Sequence, residues 1–535
     1  MNICSFTFVM ACLLFATGPL FAQPQTMRVD LPGSRAEEVT IAINPLNPDN
    51  IVAGANLRYY FASFDGGRSW TQGTLPDGTW GDPSVVFDKT GRAYIANLVY
   101  GWDAILVRHS DDGGLTWSDA VKLYGPSSDS ARPGSFYHSS LQDKEYLATD
   151  LTDGPHGGNI YAAWTDFTRY GSRDDRDSTV IVFARSTDRG ERFEPYVRVS
   201  DKAGNAMDSD LTMEGAVPAV GPEGQVYIAW AGPDGIYFDR SLDGGRTFGT
   251  DKVISDMPGG WHIEISGIYR ANGLPVTVAD ISSSLHRGTV YVNWVDQRHG
   301  DPDVFITKST DQGDTWSPPI RVNDDEVGNG RDQFFTWATV DPITGELWVV
   351  FHDRRHYESD STDVYLARSV DGGETFINQR LSDVAFYPSP MIFFGDYNGI
   401  AAYGGRVRPL WVELDQGELS IHTALIDMDV QHSADLNPAT RSFHIEAYPN
   451  PVLFTSGTRL SLSVRAPSSG RADIALYDMM GRRATDLTSR HLSVGTQTLS
   501  LDVRGCRPGV YYCRVLLHHD NAVTEIAVRM VTILP

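Results

Sequence analysis

The chain has 535 residues and a formal net charge of −24, which argues against a nucleic-acid partner held through its phosphates. It is too long for one compact core and long enough for a large repeat domain plus a small one. Its 51 Gly, 12 Trp and 23 Tyr favour short strands and many turns over helices. Residues 1–22 read as an export signal: Phe6 to Phe21 is almost wholly apolar and Ala22 precedes Gln-Pro-Gln. The run is short for a membrane span and no second one follows, so an integral membrane protein is not expected. Cys4 and Cys12 leave with that segment. Cys506 and Cys513 remain, either as a disulfide in an oxidising compartment or as two buried thiols.

From residue 23 to about 430 the chain repeats one turn six times. Ser309-Thr-Asp-Gln-Gly-Asp-Thr-Trp316 is matched by the stretches Ser63 to Trp70, Ser110 to Trp117, Ser186 to Phe193, Ser241 to Phe248 and Ser369 to Phe376. Each keeps Ser, Asp two later, Gly two after that, and Trp or Phe three further on. The Asp residues are Asp65, Asp112, Asp188, Asp243, Asp311 and Asp371. Ser and Asp can close a tight turn on their own backbone N–H groups, Gly supplies a positive φ, and the aromatic returns the chain to a core. The six acids are therefore read as structural.

A strand-like run precedes each turn, such as Val180 to Ala184 or Val304 to Thr307. Another lies before that, such as Ile160 to Trp164, Val226 to Trp230 or Val290 to Trp294. First strands such as Pro83 to Phe87 and fourth strands such as Ile320 to Val322 complete units of four. A last unit without the turn is expected from Asp396 to Ile400, Val407 to Glu413 and Leu419 to Ile426. Met27-Arg-Val-Asp30 resembles the other fourth strands and is expected to complete that unit by pairing with its third strand. The repeated turn resembles the Asp-box, or bacterial neuraminidase repeat, of sialidases and other β-propellers. That resemblance implies an all-β fold, an Asp-box β-propeller; six boxes suggest six blades, but the strand count suggests seven, closed by an N-terminal strand and followed by a small β-sandwich.

Residues 431–446 read as a linker, and the texture changes from 447 to 535. Tyr448-Pro-Asn-Pro451, Leu476-Tyr-Asp-Met-Met-Gly-Arg482 and Arg507-Pro-Gly-Val-Tyr511 occur in that order, with alternating strands such as Leu460 to Val464. This part is similar to the C-terminal sorting domain of type IX (Por) secretion. The resemblance implies the type IX machinery as a partner, passage through the periplasm, and release or attachment at the outer-membrane surface.

Turns after second strands share the rim opposite the Asp-boxes with the starts of first strands. Second strands end in Trp164-Thr-Asp166, Trp294-Val-Asp296-Gln-Arg298, Phe351-His-Asp353-Arg354-Arg355 and Trp411-Val-Glu413. First strands open at Asp82, Asp143-Lys144-Glu145, Glu214, Asp332-Gln333 and Asp396-Tyr397. Carboxylates with a few Arg suit a glycan, and paired carboxyls can hydrolyse a glycosidic bond if one stays protonated. Asp296, Arg298, Asp332, Asp353, Arg354 and Asp396 are the catalytic candidates. Asp82, Asp143, Asp166, Glu214, Arg355, Tyr397 and Glu413 are the substrate-binding candidates. Each acid can instead cap a turn or pair with a local Arg. No cofactor is expected, although loops such as Asp174-Asp-Arg-Asp177, Asp301-Pro-Asp303 and Asp324-Asp-Glu326 offer oxygens for a structural Ca²⁺.

The sialidase resemblance implies three Arg on the substrate carboxylate, a Tyr–Glu nucleophile pair, an Asp acid and an Arg-Ile-Pro motif before the first box. No Arg-Ile-Pro occurs, and Arg132-Pro133 is the nearest echo. The expected function is that of a secreted or surface glycosidase-like protein acting on an extracellular glycan or glycoprotein. The alternative is a non-catalytic glycan- or protein-binding module.

Overall fold

A computed structural model describes residues 24–127, 141–428 and most of 444–534. Residues 1–22, read above as an export signal, Arg132-Pro133 and most of residues 431–446, read as a linker, lie outside the described residues. The chain divides into two units, residues 1–430 and 431–535, and the described residues contain no α-helix.

Seven four-stranded antiparallel sheets make up the first unit. Their first strands are Val39–Ile43, Thr79–Phe87, Leu141–Thr149, Glu214–Val220, Val276–Ala279, Gln333–Val340 and Gly399–Tyr403. Each packs on the first strand of the next sheet, and Gly399–Tyr403 packs on Val39–Ile43, which is β-propeller packing. Gln25–Arg28 is the outer strand of the seventh sheet and pairs antiparallel with Glu418–Asp427, Met27 lying opposite Thr423. The seventh first strand begins at Gly399, three residues later than its sequence suggests. Gly395 turns at φ +88° and Asp396 is held by Lys144 of the third sheet and by Arg270 of a loop, so this stretch leaves the ladder.

The Asp-boxes explain the sheet-to-sheet packing. Ser309 Oγ donates to Asp311 Oδ1 (2.7 Å) and accepts from Gly313 N (2.7 Å). Asp311 also accepts from Thr315 N (2.9 Å) and Thr315 Oγ1 (2.6 Å). The Ser–Asp–Gly part recurs in the other five boxes. The fixed Gly is needed twice over. At Gly313 φ is +89°, and an added Cβ would stand 2.2 Å from Phe238 of the preceding sheet. The same approach places Gly114 on Val52, Gly190 on Tyr94, Gly245 on Phe183 and Gly373 on Tyr291. Gly67 meets Arg408 of the seventh sheet. Arg408 is fully buried and bonds the carbonyls of Gly66, Val407 and Ile426 at 2.8 Å each. The sheet without a box thus meets the first box through an arginine.

The C-terminal unit has a three-stranded sheet (His444–Tyr448, Arg459–Ala466, Gly495–Asp502) and a five-stranded one. In the larger sheet, the central strands Gly470–Asp478 and Gly509–His519 are antiparallel. Leu460, Leu462 and Val464 from one sheet and Ile474, Leu476 and Val515 from the other share one core, as in a β-sandwich. Cys506 and Cys513 are both free and buried, and burial pushes the Cys513 thiol up to about 12.

Candidate functional site

The cavity follows from a defect that recurs in the first strands. The second, third, fourth and sixth carry β-bulges near their starts. Each bulge holds a residue at positive φ: Asp82 (51°), Lys144 (52°), Gly215 (76°) and Phe335 (52°). A bulge turns side chains out of the alternating pattern. Together with Glu38 before the first strand and Asp396 before the seventh, these stretches bring charged groups from separate sheets to one place. An insertion between the fourth and fifth sheets carries the short pair His262–Ile263 and Ala271–Asn272 to the same place.

The resulting cavity has a volume of about 220 Å³. Its acids are Glu38, Asp82, Asp143, Asp208, Glu214 and Asp396, its cations are Lys144 and Arg270, and His262 also lines it. Trp80, Trp102, Trp261, Tyr170 and Phe393 form aromatic walls. Lys144 Nζ stands 3.0 Å from Asp396 Oδ1 and 3.9 Å from Glu38 Oε1. Arg270 Nη2 stands 2.6 Å from Asp396 Oδ2 and 3.6 Å from Glu38 Oε1. Asn56 donates its amide N–H to Glu38 and accepts from Asp82 N (2.6 Å). The Tyr170 hydroxyl donates to Asp208. Lys144 also lies 5.2 Å from the centre of the Tyr397 ring, which packs on Tyr146 and Trp337.

The electrostatics divide the acids. Burial pushes Asp396 up, but Arg270 and Lys144 together hold it well below the usual carboxylate range. Glu38 is raised well above it, by burial first and then by the charges of Asp82 and Asp396. Asp143 is raised by burial and Asp82, and Glu214 by burial with Asp208 and Asp143. Burial and mutual repulsion thus favour the neutral forms of Glu38, Asp143 and Glu214, and the two cations favour the charged form of Asp396.

Of the sequence candidates, Asp82, Asp143, Glu214 and Asp396 line this cavity, and Tyr397 lines a smaller one that shares Lys144 and Asp396 with it. The others are engaged within or between sheets. Asp296 accepts from the Trp294 indole N–H (2.7 Å) and from Arg298 Nε (3.0 Å). Glu413 likewise accepts from the Trp411 indole (2.9 Å). Asp166 takes the Gln142 amide (2.7 Å) and the Ser127 hydroxyl. Asp353 takes Arg355 Nε (2.8 Å), and Arg355 reaches Asp324. Arg354 bonds Ser266 O (2.7 Å) and Thr362 Oγ1 (3.1 Å), with Asp332 at 3.7 Å. In Trp294-Val-Asp296 and Trp411-Val-Glu413 the acid two residues after the Trp caps its buried indole, whereas the Trp164 indole donates to Gln142 Oε1, which leaves Asp166 to the Gln142 amide and Ser127. Asp303 and Asp325 are taken up by Arg321 and Asn323. Among the described residues no group of three or more His, Cys, Asp or Glu side chains is arranged to hold a metal ion.

The reading by strand ends missed Glu38, Asn56, Asp208 and Arg270. Glu37-Glu38-Val39 opens a first strand as Asp82 does, so the same signal points to Glu38. Asp208 and Arg270 sit in loops outside the repeat, where spacing says nothing.

No protein-family model and no curated protein matches the chain. Among solved structures it is similar to the Hadza microbial sialidase Hz136, at 14% identity over 71% of this chain and 73% of that one, with a TM-score of 0.42. It is also similar to the NanB sialidase of Streptococcus pneumoniae, at 10% identity over 70% and 83% of the two chains, with a TM-score of 0.43. YCF48 bound to D1 peptide is similar at 13% identity over 77% and 97%, with a TM-score of 0.39. Likenesses this distant carry no activity across.

Proposed function

We propose that the protein is a sialidase-like propeller of seven blades, closed by its N-terminal strand, that acts on an extracellular glycan as a glycoside hydrolase. The C-terminal unit directs it by type IX secretion to the outside or the outer-membrane surface. The observation that carries the activity is the pairing of raised carboxyls, Glu214 and Asp143, with the ionised Asp396 in one aromatic-walled cavity. A carboxyl kept protonated near neutral pH can donate to a leaving glycosidic oxygen, while an ionised one stabilises the cationic sugar or activates water. Indole and phenol faces suit the C–H face of a sugar ring. Asp296, Asp332 and Asp353, each engaged elsewhere, are assigned to structure, and a structural Ca²⁺ has no part in the reading.

A panel of aryl glycosides, sialosides included, tests this. Turnover of at least one member is expected, with Glu214→Gln and Asp396→Asn each lowering it at least about a hundredfold while Asp296→Asn does not. Full turnover by both cavity variants overturns the assignment. One observation favours the second reading, a glycan-binding module without catalysis: both Asp396 oxygens are held by cations, Oδ1 by Lys144 and Oδ2 by Arg270. Saccharide binding with no hydrolysis across the panel would establish it.

A further inference from the structure

We propose that the central cavity takes a cationic saccharide, a sugar bearing a free ammonium group, and rejects the carboxylated sugars that a sialidase holds. This rests on the glycan reading above and names the substrate class within it. Holding a sugar carboxylate takes a cation free to receive it, and bidentate Arg is the usual one. Lys144 and Arg270 are the only Lys or Arg among the described residues lining the cavity; Lys144 Nζ and Arg270 Nη2 face Asp396 and Glu38, so the nitrogen that a bidentate contact needs is taken and the buried Arg270 Nε is left without a partner. A second anion would have to displace that pairing inside a cavity with six acids.

The acids away from that pairing are differently placed. Glu214 is 1% exposed and lines the cavity; its carboxyl meets that of Asp208, and its Oε2 has no other hydrogen-bond partner. A buried carboxyl oxygen without a partner is costly, and a charged donor from a ligand removes the cost. Asp208 and Asp143 lie close enough to raise its pKa, so this side of the cavity gathers negative charge once a cation enters. The Trp261 indole N–H, also buried and without a partner, offers a donor to a ring hydroxyl. Trp80 and Trp102 add aromatic faces that attract an ammonium group directly. At about 220 Å³ the cavity suits a single ring rather than a drug-sized ligand. Burial and the neighbouring acids raise the Glu214 and Asp143 carboxyls well above the usual range, so a cationic ligand, which favours their charged forms, is expected to release protons as it binds, and a neutral one is not.

Calorimetric titration of the full chain tests this with four probes: a β-1,4 disaccharide of glucosamine, its N-acetylated counterpart, sialyllactose, and a short lysine-containing peptide. The free-amine disaccharide is expected to bind at least about tenfold more tightly than the N-acetylated one, as a charged hydrogen bond in a buried site warrants. Proton release should appear as an enthalpy that depends on the ionisation heat of the buffer. Glu214→Gln, or Asp208→Asn if the first variant does not fold, should reduce that preference to below about threefold. Equal or tighter binding of the N-acetylated sugar or of sialyllactose overturns the cationic class and leaves the glycan reading standing. Binding of the lysine peptide above both amino-sugar probes replaces the saccharide with a basic protein partner. No saccharide binding at all overturns both readings together.

Discussion

The strongest test of the cavity's construction is Lys144→Met. Methionine keeps an unbranched apolar stem and bears the same positive φ, so the change isolates the charge. Lys144 is 6% exposed, and its ammonium faces Asp396 at 3.0 Å and Glu38 at 3.9 Å. Its pKa is held well above normal by Asp396, Asp82 and Glu38 against the opposing effect of burial. Breaking a buried pair from one side costs about 3–5 kcal/mol. Arg270 still reaches Asp396 at 2.6 Å, which places the expected loss near the lower end, about 3 kcal/mol. In a unit of this size that lowers the melting temperature by about 3–4 °C. Thermal and urea unfolding of the full chain, read by near-UV circular dichroism, measures it. Asp396→Asn and the double variant complete a cycle. The double variant should be more stable than the sum of the singles predicts, by about 1–3 kcal/mol. Additivity within about 0.5 kcal/mol would refute the idea that the two charges are held for each other.

Gly313→Ala combines a positive φ with a Cβ 2.2 Å from the Phe238 ring, so it should cost about 2–4 kcal/mol by urea unfolding; a loss below about 0.5 kcal/mol would show the box does not need glycine for packing. Arg408→Met leaves three carbonyls without their donor and should open the contact between seventh and first sheets, read as faster hydrogen exchange in Gln25–Arg28. Stability should also depend on pH through two sets of acids, falling as the pH rises towards 7 and as it falls towards 2. Glu37 is raised from 4.5 to about 7, mainly by burial. The folded state keeps that proton and the unfolded state loses it, so stability declines as pH rises from about 4.5 to 7. Glu37→Gln should flatten that slope in a series of urea midpoints, and an unchanged slope refutes the assignment. Asp243 and Asp371 are held down to about 2; in both, hydrogen bonds from Ser, Thr and backbone N–H groups outweigh the larger single effect of burial. Their contribution is present above about pH 4 and lost as the pH falls through 2. Asp371→Asn should remove part of that acid limb and leave the Glu37 limb unchanged.

Much of the fold was legible in the sequence because its causes are local. A Ser, an Asp and a Gly at fixed spacing close the same turn wherever they occur, and alternating Tyr and Trp runs between such turns leave few options besides short antiparallel strands. That Met27 continues the pattern of Ile320-Arg-Val322 was enough to point at the outer strand of the last sheet, which pairs as its spacing implied. The cavity was only half legible, since strand ends fix which rim a residue reaches but not which way its side chain turns. Trp294 and Asp296 look alike in spacing to a site motif, yet the acid is drawn inward to its own indole and Arg298. Asp82 and Lys144 face the centre because a bulge sets them at positive φ, and no periodicity announces that. Arg270 arrives on an insertion from 126 residues before its partner Asp396. Local hydrogen bonding and alternation are written into neighbouring residues. Which charges meet, and so which stay neutral, depends on burial and on distances between segments far apart in the chain, and those exist only once the sheets have packed.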